Sequence, residues 1–153
     1  MTLITIVRIA AVITLGLIGG VSLAYLRTKP AVDTLDASAF IRYQQHVHEA
    51  YKIMMPTLVS LGILTNLSWL ISLWRHPIST EFILVALAAG ALVTVLMITL
   101  MRNVPINDQL VTWDPAAPPR NLRQIWTKWE QASFHRGVLA IFAFVLVILA
   151  MQA

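Results

Sequence analysis

Two short polar segments carry most of the side chains in this chain that could do chemistry. The first is Arg102-Asn103-Val104-Pro105-Ile106-Asn107-Asp108. The second is Trp126-Thr127-Lys128-Trp129-Glu130-Gln131-Ala132-Ser133-Phe134-His135-Arg136. Asn and Ser supply neutral hydrogen bonds, Arg a permanent positive charge, and Trp an apolar wall with a single donor. On a helix, Trp126, Trp129, Ser133 and Arg136 follow one another at steps of three or four and share a face. His135 points about 200° away from Ser133 and does not join them. Each residue also has a plainer reading. The tryptophans fit an interfacial aromatic belt, Arg136 fits a lipid or topology anchor, and Asn103 and Asn107, flanking Pro105, fit a helix-terminating turn.

A third polar patch, His46-Val47-His48-Glu49, invites a metal reading. Helix geometry opposes it, because residues two apart point about 200° from each other and cannot share one ion. His48 instead falls on a face with Gln45 and Lys52. An imidazole there is either a solvated interfacial group or a general base working near neutral pH. A metal or haem held jointly by His48 and His135 from different helices is a further option, which a visible absorption band would reveal.

The elements that must position these residues are membrane spans. Of 153 residues, 58% are apolar and only 12% charged. A soluble domain carries about 25% charged residues, so composition places the chain in the membrane class. The absence of cysteine removes disulfides, thiolate metal sites and redox thiols. The net charge of +4 gives no support to nucleic-acid binding. Apolar runs over residues 3–26, 53–74, 82–101 and 137–152 match a hydrocarbon core about 30 Å thick. The first run lacks a preceding basic region and a small-residue cleavage site, so it is expected to be a retained helix. No His, Asp, Glu or Lys falls inside a span, which argues against pumps, ion-coupled transporters and bis-histidine haem between span centres. Arg8, the one ionisable residue in an apolar run, is expected to snorkel to the surface.

The connections carry their own signals. Lys29-Pro30 should end the first helix, and Asp36 or Ser38 should cap the second. The pattern predicts one helix over residues 37–74, kinked near Pro56, with Phe40, Tyr43, Val47, Tyr51 and Met54 forming an apolar stripe. Ser79 or Thr80 should cap the third span. Residues 102–121, with four prolines, should be irregular, and Asn121 with Gln124 resembles a capping box before a helix over 122–151. Gly16, Gly19 and Gly20 suit close helix packing. Nine basic residues flank the first and third connections and only Arg8 and Arg75 the other side. This places segments 27–52 and 102–136 in the cytoplasm. The expected architecture is all-α: a four-transmembrane-helix bundle in a single domain, with the second and fourth helices extending beyond the membrane on that side.

Asn103-Val104-Pro105-Ile106-Asn107, then Leu110, followed by Trp129-x-x-x-Ser133-x-x-Arg136 at the head of the last span, resembles the anthrone oxygenase-like integral membrane family. The resemblance extends over nearly the whole chain, including a proline early in the second span. Where the family often carries Asn or His, this chain has Ser133. The family is largely bacterial, which implies an inner-membrane location. Its fungal relatives oxidise an anthrone to an anthraquinone with molecular oxygen, and the motifs imply no metal or flavin. For this chain the resemblance implies a cofactor-independent oxygenase acting on a planar lipophilic substrate. His48 would be the base, Arg136 with Asn103 or Asn107 the oxyanion partners, Trp129 the wall, and Gln45 and Ser133 further substrate contacts. The alternative is a non-enzymatic membrane protein that binds a lipid or lipophilic ligand, or assembles with a partner.

Overall fold

The computed structural model describes residues 2–153 and contains helices joined by turns, with no strand among those residues. In chain order they are α1 (Leu3–Val32), α2 (Ala37–Tyr51), α3 (Met54–Ser72), α4 (Thr80–Ile98), a π-helical turn (Thr99–Asn103), α5 (Val104–Leu110) and α6 (Leu122–Ala150). Four helical stretches are long and apolar enough to cross a membrane: Leu3–Val32, Met54–Ser72, Thr80–Leu110 and Leu122–Ala150. The protein is thus a multi-pass integral membrane protein. Helices are what a bilayer permits, because each satisfies its own backbone polar groups where no water can.

The spans form a closed ring in which α1 packs on α3, α3 on α4, α4 on α6, and α6 back on α1. The core inside it is built from Ala11, Leu15, Ile18, Trp69, Val85, Ala88, Leu92, Ala140, Ala143 and Val147. Small residues dominate the α4 and α6 contact, which lets those helices approach closely. Gly16 serves the same end on α1, since a Cβ there would stand 3.1 Å from the Phe144 ring. Leu17, Leu64, Leu87, Phe142 and Leu149 face outward and are exposed, as a lipid-facing belt requires.

A second core closes one end of the ring. Val32, Phe40, Ile41, Ile106, Leu110, Leu122 and Trp126 are buried together there, with Leu35, Trp113, Ile125 and Trp129 packed against them. It ties the end of α1, the start of α2, α5 and the start of α6 into a cap. Gln45 completes the cap by donating to the carbonyls of Leu110 and Trp113 at 3.0 and 2.9 Å, which satisfies the open end of α5.

Several local expectations hold and several do not. Asp36 accepts from the Ala39 amide and Ser79 from the Phe82 amide, as N-caps should. Helix α1, however, runs through Pro30 to Val32. Pro30 lies in its last turn, which Val32 anchors in the cap core, and Lys29 bridges Asp33 at 2.5 Å. The predicted 37–74 helix is instead two helices, broken at Lys52 and Ile53. Pro56 offers no N–H to the Lys52 carbonyl and its ring collides with it, so the break falls four residues upstream of the proline. Of the α2 stripe only Phe40 is buried; Ile41 and Gln44 share its face, while Tyr43, Tyr51 and Met54 are exposed. Residues 102–110 are helical, not irregular. Asn121 makes no side-chain cap bond, so the expected capping box does not form. Arg8 does not simply snorkel: it forms an ion pair with Glu81.

Candidate functional site

The two polar segments meet at the junction of ring and cap, and the π-helical turn makes the meeting possible. Pro105 cannot donate to Met101 and its ring would strike that carbonyl in a regular helix. The backbone widens instead, with the Val104 amide donating to Thr99 five residues back. The helix passes the proline without stopping and leaves Asn103, only 1% exposed, against α6. Asn103 Nδ2 donates to the Trp129 carbonyl at 3.2 Å and to Ser133 Oγ at 2.9 Å. Arg136 donates from Nη1 to Thr99 Oγ1 at 3.0 Å and from Nη2 to Ser133 Oγ at 3.3 Å. Asn103 Oδ1 and Arg136 Nε are buried and have no partner among the described residues.

The electrostatics are one-sided. No carboxylate among the described residues lies within ion-pair distance of Arg136; its partners are neutral hydroxyls. Glu130, nearly two turns earlier on α6, is held elsewhere, by Lys29 at 3.2 Å and the Tyr25 hydroxyl at 3.3 Å. The cluster therefore keeps an uncompensated positive charge in apolar surroundings. Such an arrangement favours an anion or a developing oxyanion far more than it would in water.

An aromatic wall adjoins it. Trp126 and Trp129 stack with centroids 4.6 Å apart, Tyr25 meets Trp129 edge-on at 5.5 Å, and Phe40 meets Trp126 edge-on at 5.3 Å. Asn107 fixes the wall by accepting from Trp129 Nε1 at 2.8 Å.

Of the residues singled out in the sequence, Asn103, Asn107, Trp129, Ser133 and Arg136 form one connected network. Gln45 is engaged in closing α5. His48 is half-buried on α2 and has no hydrogen bond to the cluster; His46 bonds the Arg42 carbonyl at 2.7 Å, and His135 lies on the exposed side of α6. No group of three or more metal-ligating side chains occurs among the described residues. Three contacts were not legible in sequence, two at this cluster and one at the far end of the ring. Thr99 is one of many helical hydroxyls, the Tyr25–Glu130 contact joins residues 105 apart, and Arg8–Glu81 joins the first span to the third.

The fold and site together define a four-span helical membrane protein with a cationic, aromatic-walled cluster at one end of the ring. The family model described as anthrone oxygenase matches residues 45–146, about two-thirds of the chain. The chain belongs to the anthrone oxygenase-like family. The match includes both polar segments. No curated protein and no solved structure matches the chain.

Proposed function

We propose that this protein oxidises a planar, lipophilic, anthrone-type ketone with molecular oxygen at the Asn103–Ser133–Arg136 cluster. One observation carries the reading: Arg136 is held only by neutral oxygens and lacks a carboxylate partner. A buried charge without a counter-ion costs stability, so its retention fits a role in holding negative charge on a ligand. Removal of a proton from the methylene that lies across the central ring from the ketone gives a conjugated, enolate-like anion whose oxygen the cluster stabilises. The electron-rich carbon then reacts with O2. One oxygen atom stays on that carbon as the new carbonyl, and the other leaves as water with the two hydrogens of the former methylene. The aromatic wall keeps the flat ring system oriented. His48 is the candidate base, from α2 beside the cap. The surplus of basic residues at the cap end places that end in the cytoplasm in this reading.

The test is oxygen uptake by the protein in detergent with a simple anthrone, beside Arg136→Ala and His48→Ala. Uptake above the spontaneous rate that collapses in Arg136→Ala supports the reading. Uptake unchanged in both variants removes the site assignment. A second reading, a non-enzymatic carrier of lipophilic ligands, draws support from the cluster's partners, which among the described residues include no imidazole or carboxylate. Binding of anthrone without oxygen uptake would favour it.

A further inference from the structure

The Ser133 hydroxyl is placed unlike its neighbours. Thr14, Ser22, Thr65, Thr94 and Thr99 each donate to a carbonyl one turn earlier on the same helix, the common arrangement for a helical hydroxyl. The carbonyl that would serve Ser133 this way belongs to Trp129, and it accepts from Asn103 Nδ2 instead. That carbonyl can only accept, which fixes the orientation of the Asn103 amide. The same NH2 group and Arg136 Nη2 both donate to Ser133 Oγ. A serine hydroxyl has two lone pairs and one hydrogen. Donors take both lone pairs, and no acceptor among the described residues meets the hydrogen.

Ser133 also lines an apolar groove between α1 and α6, with Ser22, Leu26, Gly137 and Val138. The other hydroxyls at the groove are engaged: Ser22 with the Ile18 carbonyl and Tyr25 with Glu130. Leu26 and Val138 are exposed on the lipid-facing surface. The helices are close here, since a Cβ on Gly137 would stand 3.1 Å from Ser22 Cβ.

We propose that this groove is the lateral docking site of a diaryl ketone, drawn from the bilayer with its carbonyl oxygen toward Ser133. The proposal deepens the oxygenase reading and rests on it for the substrate class. The donor demands an acceptor. The guanidinium behind it polarises the hydroxyl and favours an oxygen that carries or develops negative charge. The apolar walls offer nothing to a second polar group. The groove encloses about 50 Å³, whereas an apolar cavity that holds benzene measures about 150 Å³. It therefore takes the carbonyl and the adjoining ring edge beside Tyr25, the member of the aromatic wall that lines the groove, while the remaining rings lie against Leu26 and Val138 in the lipid. Ser133 is the group in direct contact, and Asn103 and Arg136 act through it.

The experiment uses the whole protein in vesicles of ether-linked phospholipid, which lack the ester carbonyls that could compete. Benzophenone, itself a diaryl ketone, inserts into nearby C–H bonds on irradiation, and the labelled peptides are mapped by mass spectrometry. The expected result is saturable labelling confined to residues 22–26 and 137–141, suppressed by excess anthraquinone. Affinity should fall about tenfold in Ser133→Ala, as for loss of one hydrogen bond. Val138→Trp, which fills the exposed wall without touching the cluster, should abolish the label and leave the melting temperature unchanged. Labelling spread evenly over outward residues such as Leu64 and Leu87 would overturn the proposal. So would insensitivity to anthraquinone or to either variant, or loss of the specific label when ester-linked lipid replaces ether-linked lipid, which would assign the groove to lipid carbonyls. Labelling requires no turnover. A confined label without oxygen uptake defeats the oxygenase reading alone, and uptake without the label defeats the groove alone.

Discussion

Two arginines stand at opposite ends of the ring and are held in contrasting ways. Helix α4 and its π turn measure the distance between them: Glu81 and Thr99, their respective partners, are about 27 Å apart at the rise of a helix. Arg8 is neutralised by Glu81, lies 5.4 Å from the centre of the Trp69 ring, and shares its carboxylate with Trp69 Nε1 at 2.8 Å. Arg136 has two neutral hydroxyls and, among the described residues, no carboxylate. Both leave Nε without a partner. A buried Nε without a partner is therefore common to the two and does not separate them. What differs is the charge left over once the local partners are counted. The first cluster is closed and fastens α1 to α4; the second remains open to a ligand.

The sharpest way to break this contrast is Arg136→Ala. It should lower kcat/KM for anthrone oxidation by about 100-fold, because the Ser133 hydroxyl loses the charge that polarises it, as read by oxygen uptake. Arg8→Ala should leave that ratio near the wild-type value and lower the melting temperature instead. Next comes Ser133→Asp, which gives Arg136 the counter-ion that Arg8 already has. Activity should fall about as far, with the fold retained, and near-normal turnover in this variant would show that the open charge is irrelevant. Glu81→Ala strands both Arg8 and the Trp69 donor. The pair is partly exposed, at 31% and 18%, so the cost should lie near 2 kcal/mol, below the 3–5 kcal/mol of a fully buried pair. Thermal unfolding in detergent measures it, and Glu81→Gln should be milder because it keeps an acceptor for Trp69.

Smaller effects lie at the edges of the second cluster. Asn107→Ala frees Trp129 Nε1 and should cost about 1 kcal/mol, raising KM more than it lowers kcat if the wall only orients the ring. The smallest effect is on the exposed face of α2, where Lys52 at 2.6 Å holds the Glu49 carboxyl below the usual carboxylate range. A depressed folded value means that the contribution is present above about pH 4.5 and lost as pH falls through the folded value. Melting temperatures of the wild type and Glu49→Gln should differ slightly at neutral pH and converge in acid, because a solvated pair contributes little.

Much of this was legible from residue order because the signals were local. Apolar runs set the four spans, Asp36 and Ser79 announced their caps, and the spacing of Trp129, Ser133 and Arg136 put them on one face. The failures share one cause, which is that tertiary contacts overrode a local rule. Pro30 ends no helix because Val32 is anchored in the cap core. Pro105 ends none because the backbone widens into a π turn and α5 is then held by Gln45. Pro56 acts as a breaker, but on the carbonyl four residues earlier, at a break that the apolar pattern does not mark. Arg8 read as a lone snorkelling residue because Glu81, its partner, lies at the edge of a different span. For the site, residue types and face were visible, whereas the free hydrogen of Ser133 depends on which neighbour claims the Trp129 carbonyl.

The π turn has a consequence for how this chain can vary. It holds one residue more than a regular turn, so it advances the helical phase by about 100° between the stretch before Thr99 and the stretch after Asn103. Upstream, side chains keep time with α3 and the spanning part of α6; downstream, they keep time with α2 and the head of α6 in the cap. A substitution on either side is answered by its own set of neighbours. Along this one helix, a change in the phase of the span can thus be absorbed at the π turn while α5 stays seated in the cap.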